Sequence, residues 1–330
     1  MIPPGVSTPS NDGPDTANIG PENTGSAFGL ATHLGLANEL AAVESMLTDW
    51  ISDCDDEFEE VLRFQFEPGS KYLRALTLLS CDAAMRGPTK ATPTDDVLLG
   101  AVVIEIAHNV TLIIDDIVDR SDTRRGKPTV VKAFGELSAH MVAGYMMSDL
   151  FRLLRNEPFA QAQISTLFKR LAVAENRQWR LRQRPLGVTD WRQLAREDTG
   201  SMFEACANLA TGSVRLGAFG NALGVLYHGC DDVADLRGAA GLGGGGDEDI
   251  RDGILTLPAA LALTDPTFAK RFAGAPKDRQ TLRPALEAQL DNAERLLDEL
   301  TVEARAEAET FAHVPERLYA LVDVVRRLSR

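Results

Sequence analysis

LIIDDIVDRSDTRRGKPT, residues 112–129, places three aspartates directly behind an apolar run and two adjacent arginines after them. The aspartates Asp115, Asp116 and Asp119 form a D-D-x-x-D pattern. The preceding residues 95–114, DDVLLGAVVIEIAHNVTLII, are mostly apolar and contain no proline. Carboxylates crowded on one helix repel one another unless a cation compensates them. The stretch therefore predicts a buried helix that ends in a cation-binding site.

Helical patterning extends along the chain in both directions. Residues 30–64 and 198–236 have apolar positions at intervals of three and four, without strand-like alternation. Aromatic residues make up only 6% of the sequence. We therefore predict an all-α fold, a bundle of ten or more helices with no sheet. Two loops interrupt it, namely residues 120–130 and a glycine-rich, acidic segment at residues 237–258 that we interpret as a lid.

Composition limits the classes of function. The formal net charge of −14 and the pI of about 4.9 disfavour nucleic acid as a partner, because phosphate binding needs a basic surface. The cysteines Cys54, Cys81, Cys206 and Cys230 lie far apart and predict buried thiols in a cytoplasmic protein. We expect no transmembrane segment. Residues 1–27 have a disordered-tail composition, and residues 28–330 form the all-α domain.

A second D-D-x-x-D pattern occurs at Asp231, Asp232 and Asp235. On a helix the first and fifth positions are ~40° apart and the second lies ~100° from the first, so all three carboxylates share one face. Ligands made only of oxygen suit Mg²⁺. A single acidic cluster is usually a solvated helix face. Two clusters behind apolar runs instead indicate one cavity, charged at its mouth and apolar below, for a diphosphate with a hydrocarbon tail.

Basic residues accompany the two aspartate triads. Lys71 and Arg74 are spaced i, i+3 and are expected on one helix face. His108 lies two turns before Asp115 on the same face. Arg124 and Arg125 follow the first triad, and arginine forks suit phosphate oxygens. Each basic residue alone is more often a surface charge, so their joint arrangement is what indicates a diphosphate site.

The motifs together resemble the trans-isoprenyl diphosphate synthase family, which includes farnesyl and geranylgeranyl diphosphate synthases. GSKYLRAL, EIAHNVTLIIDDIVDRSDTRRGKPT, and YHGCDDVADLRG followed by DGILTLP carry the resemblance, which covers about residues 31–330. It implies the isoprenoid synthase bundle with a central cavity, and a homodimer. It also implies three Mg²⁺ ions, with Mn²⁺ as an alternative, held by the six aspartates. The implied reaction condenses an allylic prenyl diphosphate with isopentenyl diphosphate.

The resemblance also implies roles for single residues. Lys71, Arg74, His108 and Arg125 match positions that hold isopentenyl diphosphate, and Arg124 matches an allylic diphosphate ligand. Val110 and Thr111, five and four positions before Asp115, match the floor below the growing chain. Both side chains are small, so we expect a linear product of C20 or longer.

Some positions depart from the family pattern. Lysines implied for the allylic diphosphate are replaced by Asp198, by Ile254 and by glycines of the lid segment, and His228 replaces a glutamine. No lysine occurs between Arg170 and Ala269. The basic segment NRQWRLRQR, residues 176–184, could send one arginine inward, although a solvated basic face is the more ordinary interpretation.

Three functions therefore stay open. The isopentenyl-site residues favour a synthase of linear prenyl diphosphates. The missing lysines favour a class I terpene cyclase or a prenyltransferase with another acceptor. A non-catalytic subunit of a heteromeric synthase is the third, and two intact triads argue against it.

Overall fold

The computed structural model describes residues 26–66, 70–86, 92–124, 126–238 and 246–329, without the side chains of 246–248. Eighteen α-helices lie in these ranges, which confirms the predicted all-α bundle. They are α1 Ala27–His33, α2 Ala37–Ser52, α3 Asp56–Gln65, α4 Leu73–Arg86, α5 Asp95–Asp119, α6 Val130–Phe134, α7 Glu136–Leu153, α8 Pro158–Leu181, α9 Val188–Glu197, α10 Thr199–Thr211, α11 Gly217–Arg237, α12 Gly246–Asp252, α13 Leu257–Ala262, α14 Pro266–Phe272, α15 Pro276–Arg279, α16 Arg283–Glu287, α17 Leu290–Phe311 and α18 Pro315–Arg327.

Two predicted irregular segments fall partly outside the described residues. Of the predicted tail at residues 1–27, only Ser26 and Ala27 are described, and they begin α1, where the Ser26 hydroxyl accepts the Gly29 N–H. Of the glycine-rich segment interpreted as a lid, residues 239–245 lie outside the described ranges. Residues 246–252 form α12.

The prediction of no sheet is wrong in one small detail. Strands β1 Thr123–Arg124 and β2 Lys127–Pro128 pair in antiparallel fashion within the loop that follows α5. Gly126, at a φ of +77°, turns the chain between them. Two residues per strand are too few for alternation to be visible in the sequence.

The centre of the bundle is formed by α4, α5, α10 and α11, with α10 packed against the other three. Helices α17 and α18 cover α11, and α2 and α7 cover α5. The close contact of α10 with α11 depends on glycine. A Cβ on Gly220 would lie 2.4 Å from the Phe203 carbonyl oxygen, and one on Gly224 would lie 2.7 Å from the Gly200 Cα. This contact holds the start of α10 directly against α11.

Helix α5 is the longest apolar element of the described chain. By length and composition it could cross a membrane, but 72% of its apolar window is buried inside the bundle. Helix α5 is therefore a core helix of the bundle. Its burial does not contradict the expected absence of a transmembrane segment, which stays a prediction. All four cysteines are free and buried, as predicted.

A second, smaller hydrophobic core lies beyond the end of α11. It is built from Leu236, Ile250, Ala259, Ala262, Phe268, Phe272, Leu282 and Leu286. Arg279 is 1% exposed and donates through Nε to the Arg251 carbonyl at 2.8 Å. Arg283 donates to the Leu236 carbonyl at 2.8 Å. These arginines fix α12 and the end of α11 to the small helices around this second core.

Candidate active site

The two aspartate triads lie near the carboxyl ends of two central helices. Asp115, Asp116 and Asp119 occupy the last turns of α5, and the second triad, Asp231, Asp232 and Asp235, lies near the end of α11. Helix α10 packs against both helices. The carboxyl end of a helix carries partial negative charge, so carboxylates there increase the need for a cation.

The electrostatics of the triads show this need. Burial, followed by repulsion from Glu175 and Asp198, raises the pKa of Asp115 to about 8. Burial, followed by repulsion from its triad neighbours, raises the pKa of Asp231 to about 7. Without a compensating charge, the Asp115 carboxyl is therefore mostly protonated at neutral pH and the Asp231 carboxyl is about half protonated.

Four of the six aspartates differ in their hydrogen-bond partners and in their exposure. Asp116 is buried and accepts the Arg124 Nε at 2.9 Å, while the exposed Asp119 pairs with Arg182, the residue that follows α8. Asp232 accepts the Trp191 Nε1 at 2.8 Å and the Leu257 N–H at 2.7 Å, both through Oδ2. The Oδ1 of Asp231 is buried and has no hydrogen-bond partner among the described residues.

The donor set fits a hard divalent cation. The triads offer only carboxylate oxygens, which Mg²⁺ prefers, and the lone Asp231 Oδ1 lacks the partner that an ion would supply. Within the described ranges, no three side chains of His, Cys, Asp or Glu converge closely enough to hold an ion by themselves. Each ion would therefore need further oxygens from diphosphate and water.

Arg74 lies beside the second triad. Its guanidinium carbon is 5.5 Å from the ring centre of Phe203 and 5.3 Å from that of Tyr227, one turn before Asp231. Its charge lowers the pKa of Asp231. Its Nε is buried and unpartnered within the described part of the chain, so it has a donor left for an anion.

The other residues predicted to bind isopentenyl diphosphate are Lys71, His108 and Arg125, and the structure supports their placement only in part. The prediction that Lys71 shares a helix face with Arg74 is wrong, because α4 begins only at Leu73. Tyr72 has a φ of +48°, which turns the chain before the helix. His108 is buried on α5 at 8% exposure, and Arg125 lies outside the described residues.

Two of the departing residues meet each other. The Thr199 hydroxyl lies 2.9 Å from His228 Nδ1, and Asp198 Oδ2 lies 3.7 Å from the same nitrogen. The sequence singled out Asp198 and His228 separately, but it gave no sign of this contact. The glycine contact between α10 and α11 is what brings them together.

Helix α8 and the residue after it contribute Glu175, which the sequence analysis missed, and Arg182, one of the arginines of residues 176–184 that it considered. Glu175 and Arg182, seven residues apart, share the face that approaches the first triad, and Glu175 raises the pKa of Asp115. Arg177 and Arg180 of α8 and Arg184 beyond its end are exposed and line a surface cleft of about 490 Å³. Residues 176–184 therefore form a solvated basic face, as the sequence analysis favoured, and Arg182 is the exception.

The two residues proposed for the chain-length floor lie on α5. Val110 is fully buried in the main core, and Thr111 is half-buried with its hydroxyl bonded to the His108 carbonyl at 2.8 Å. Met146 of α7 is also fully buried, and α7 packs against α5. Both residues therefore lie on α5, a little more than two turns before Asp119, with Val110 in the interior and Thr111 half-buried.

Comparison with known proteins shows which family this chain belongs to and which proteins it is similar to. The family model described as polyprenyl synthetase matches residues 55–299. The nonaprenyl diphosphate synthase of Mycobacterium tuberculosis is 28% identical over 334 residues, or 94% of this chain and 97% of that protein. The farnesyl diphosphate synthase of Geobacillus stearothermophilus is 28% identical over 260 residues, or 71% and 86%. The polyprenyl synthase structure from Caulobacter crescentus, complexed with calcium and isoprenyl diphosphate, has a TM-score of 0.78 at 23% identity, covering 94% and 99%.

Proposed function

Because the chain belongs to the polyprenyl synthetase family, we propose that it is a prenyltransferase that joins an allylic prenyl diphosphate to isopentenyl diphosphate. Its all-α architecture is the isoprenoid synthase fold. The observation that carries the proposal is that both aspartate triads lie near the carboxyl ends of α5 and α11, two helices that pack against α10, with Arg74 beside the second triad. Together these groups suit a substrate pair that carries two diphosphates.

The two triads would hold the metal ions, three in our proposal. When bound, Mg²⁺ would neutralise the diphosphate and act as a Lewis acid on the leaving group, and Mn²⁺ suits the same oxygens. Asp115 and Asp231 would bind as carboxylates, so each must first release the proton that its raised pKa retains. Arg124, held by Asp116, would face the allylic diphosphate.

Arg74 would orient isopentenyl diphosphate. Its cation–π contacts with Phe203 and Tyr227 hold the guanidinium beside the second triad, and its buried Nε supplies a donor. Lys71, His108 and Arg125 are proposed for the same diphosphate. Fixing this substrate in place would direct its double bond at the allylic carbon.

We propose a linear product of C20 or longer. The small side chains of Val110 and Thr111 support it, since neither carries a ring that would end the cavity near α5. Relatives with both long and short products are similar to this chain, so identity alone does not decide the length.

We also propose a cytoplasmic homodimer. Exposed positions on α7 follow a spacing of four, three, four and three residues, namely Leu137, Met141, Gly144, Ser148 and Phe151. This is the spacing of a helix–helix seam. Exposed apolar side chains in one row mark an interaction surface. Free, buried cysteines agree with a reducing compartment.

A class I terpene cyclase is the second candidate. The observation in its favour is Asp198, an acid beside His228 and near Asp115, where a cation for the allylic diphosphate was implied. A cyclase would need no isopentenyl diphosphate.

One product assay tests both candidates. The protein is incubated with Mg²⁺ and C10, C15 or C20 allylic diphosphate, with and without isopentenyl diphosphate, and products are extracted after phosphatase treatment. We expect elongated alcohols only when isopentenyl diphosphate is present, and none after chelation of the metal. Hydrocarbons formed without isopentenyl diphosphate would replace our proposal with the cyclase.

A further inference from the structure

Among the described residues, the carboxylates around the first triad outnumber the cations that contact them. Asp198 and Asp119, in addition to burial, raise the pKa of Glu175, and Glu175 and Asp198 in turn raise that of Asp115. Asp198 stands where the resemblance implied a lysine. A diphosphate brought to this acidic surface needs positive charge from elsewhere in the chain.

Arg182, the residue directly after α8, reaches this region. Its Nη2 lies 3.3 Å from Asp119 Oδ1, and its Nη1 lies 3.9 Å from Asp252 Oδ2 at the end of α12. The guanidinium carbon is 3.9 Å from the ring centre of Trp179. Arg182 therefore lies between the first triad and the segment that follows the second triad.

Most hydrogen-bond donors of Arg182 are unused. A guanidinium carries five N–H donors, and 3.9 Å is too long for a hydrogen bond. Only the bond to Asp119 is made by this side chain within the described residues, and Nε is buried without a partner. The side chain is nevertheless only 15% exposed. A shielded, stacked guanidinium with spare donors suits a ligand with several anionic oxygens.

The backbone fixes where Arg182 lies. The next residue, Gln183, has a φ of +64°, and its N–H donates to the Gly253 carbonyl at 2.8 Å. A Cβ on Gly253 would lie 2.7 Å from Gln183 Cγ, so the two segments are in direct contact. Gly253 immediately precedes Ile254, the other position where a lysine was implied. Arg182 therefore lies next to a residue that contacts Gly253, the neighbour of Ile254 in the chain.

We propose that Arg182 binds the diphosphate of the allylic substrate and supplies the positive charge that Asp198 and Ile254 do not. This rests on the proposed prenyltransferase function. In binding, Arg182 exchanges its single, long hydrogen bond to Asp119 for the diphosphate oxygens. Asp119 is thereby released for its part in the first triad.

The test compares Arg182→Gln with Arg180→Gln, an exposed neighbour on the opposite face of α8 with no ion pair in the described ranges. The affinity for inorganic pyrophosphate with Mg²⁺ is measured by calorimetry, and KM is measured for each substrate. Arg182→Gln should weaken pyrophosphate binding and raise the allylic KM by roughly tenfold or more, as loss of a charge-assisted hydrogen bond implies. The KM for isopentenyl diphosphate should stay unchanged, and Arg180→Gln should match the wild type.

A purely structural role would give a different result. Equal changes in both KM values, or unchanged pyrophosphate affinity in a folded Arg182→Gln protein, would overturn the proposal. Should that variant not fold, Arg182→Lys carries the test. It keeps the charge without the planar fork, so the allylic KM alone should rise by a smaller factor, and a rise in neither KM or in both would overturn the proposal.

The proposed function fails separately. If the wild type does not elongate with isopentenyl diphosphate, the prenyltransferase proposal is wrong whatever Arg182 does. The pyrophosphate measurement needs no turnover, so it still decides whether Arg182 binds a diphosphate.

Discussion

Asp231 and Asp232 are adjacent residues with different tasks in the structure. Asp231 has a buried oxygen without a partner in the described chain, whereas Asp232 holds Trp191 and the start of α13. We expect Asp231→Ala to reduce kcat by several orders of magnitude without lowering the free energy of unfolding of the metal-free protein. Asp232→Ala leaves two donors without an acceptor, so it should lower that free energy by about 1–3 kcal/mol.

Urea denaturation without metal, alongside steady-state kinetics, measures both quantities. Equal losses of stability in the two variants would contradict the division of tasks.

The raised pKa of Asp115 makes the stability of the metal-free protein depend on pH. The folded state holds this proton up to about pH 8, whereas the ordinary pKa is 3.8, so the unfolded chain releases it earlier. The contribution of this group is therefore full below about pH 3.8 and is lost progressively as pH rises from there to about 8. Mg²⁺ should restore stability most strongly at the alkaline end.

Thermal melts of the wild type and Asp115→Asn, with and without Mg²⁺, test this. The variant should be more stable than the wild type at about pH 8 without metal, and the gap should close toward about pH 5. A gap independent of pH would exclude Asp115 as its source.

At the scale of single residues, the sequence indicates which residues belong to the candidate site better than it predicts which residues contact one another. The six aspartates were chosen by their spacing, because helical periodicity places neighbours three and four apart on one face. Arg124 was chosen by its place after the first triad, and the roles of all seven residues stay predictions. Glu175 and the contact of Asp198 with His228 were not found, and Arg182 was considered only as one of several arginines that could point inward. Each depends on how separate helices approach, and one chain's local pattern does not contain that information.

At the scale of elements, α5 carries both a triad and the proposed chain-length floor. If the wild type makes C20 or longer products, a ring introduced by Val110→Phe should shorten them by one or more isoprene units. Val110 is fully buried, so overpacking would cost about 1–3 kcal/mol as well. Thr111→Phe, at a half-buried position, is the companion variant, and product chromatography with thermal melts gives both results.

An unchanged product distribution in both folded variants would show that the chain does not grow past this part of α5. Met146 of α7, buried in the same core, would then be the next position to change.

The helices themselves were predictable because each long one has a continuous apolar face. The start of α4 was not, since the turn at Tyr72 is a matter of backbone conformation, and the Ala75 N–H bonds to the buried Glu105 at 2.9 Å. The short β1–β2 hairpin was missed for its length. Packing of distant residues decides such details.

For the whole molecule, the exposed seam on α7 predicts a dimer. Met141→Glu places a charge in the middle of the seam, and paired copies of that charge should shift the protein to monomers. Val302→Glu, an exposed apolar position on α17 outside the seam, is the matched control. Sedimentation velocity at micromolar concentration measures the result, and a dimeric Met141→Glu protein would place the interface elsewhere.

The second hydrophobic core has a consequence for how the molecule opens. Helices α14–α16 bury their apolar side chains in this smaller core, and α13 joins it to the main core through Leu257 and Ala260. Helices α14–α16 should therefore unfold locally at a lower free energy than α10. Their amide hydrogens should therefore exchange with deuterium sooner. Asp232 bonded to Leu257 ties this unit to the second triad. Pyrophosphate with Mg²⁺ should slow the exchange there, so that deuterium uptake far from the aspartates reports on occupancy of the site.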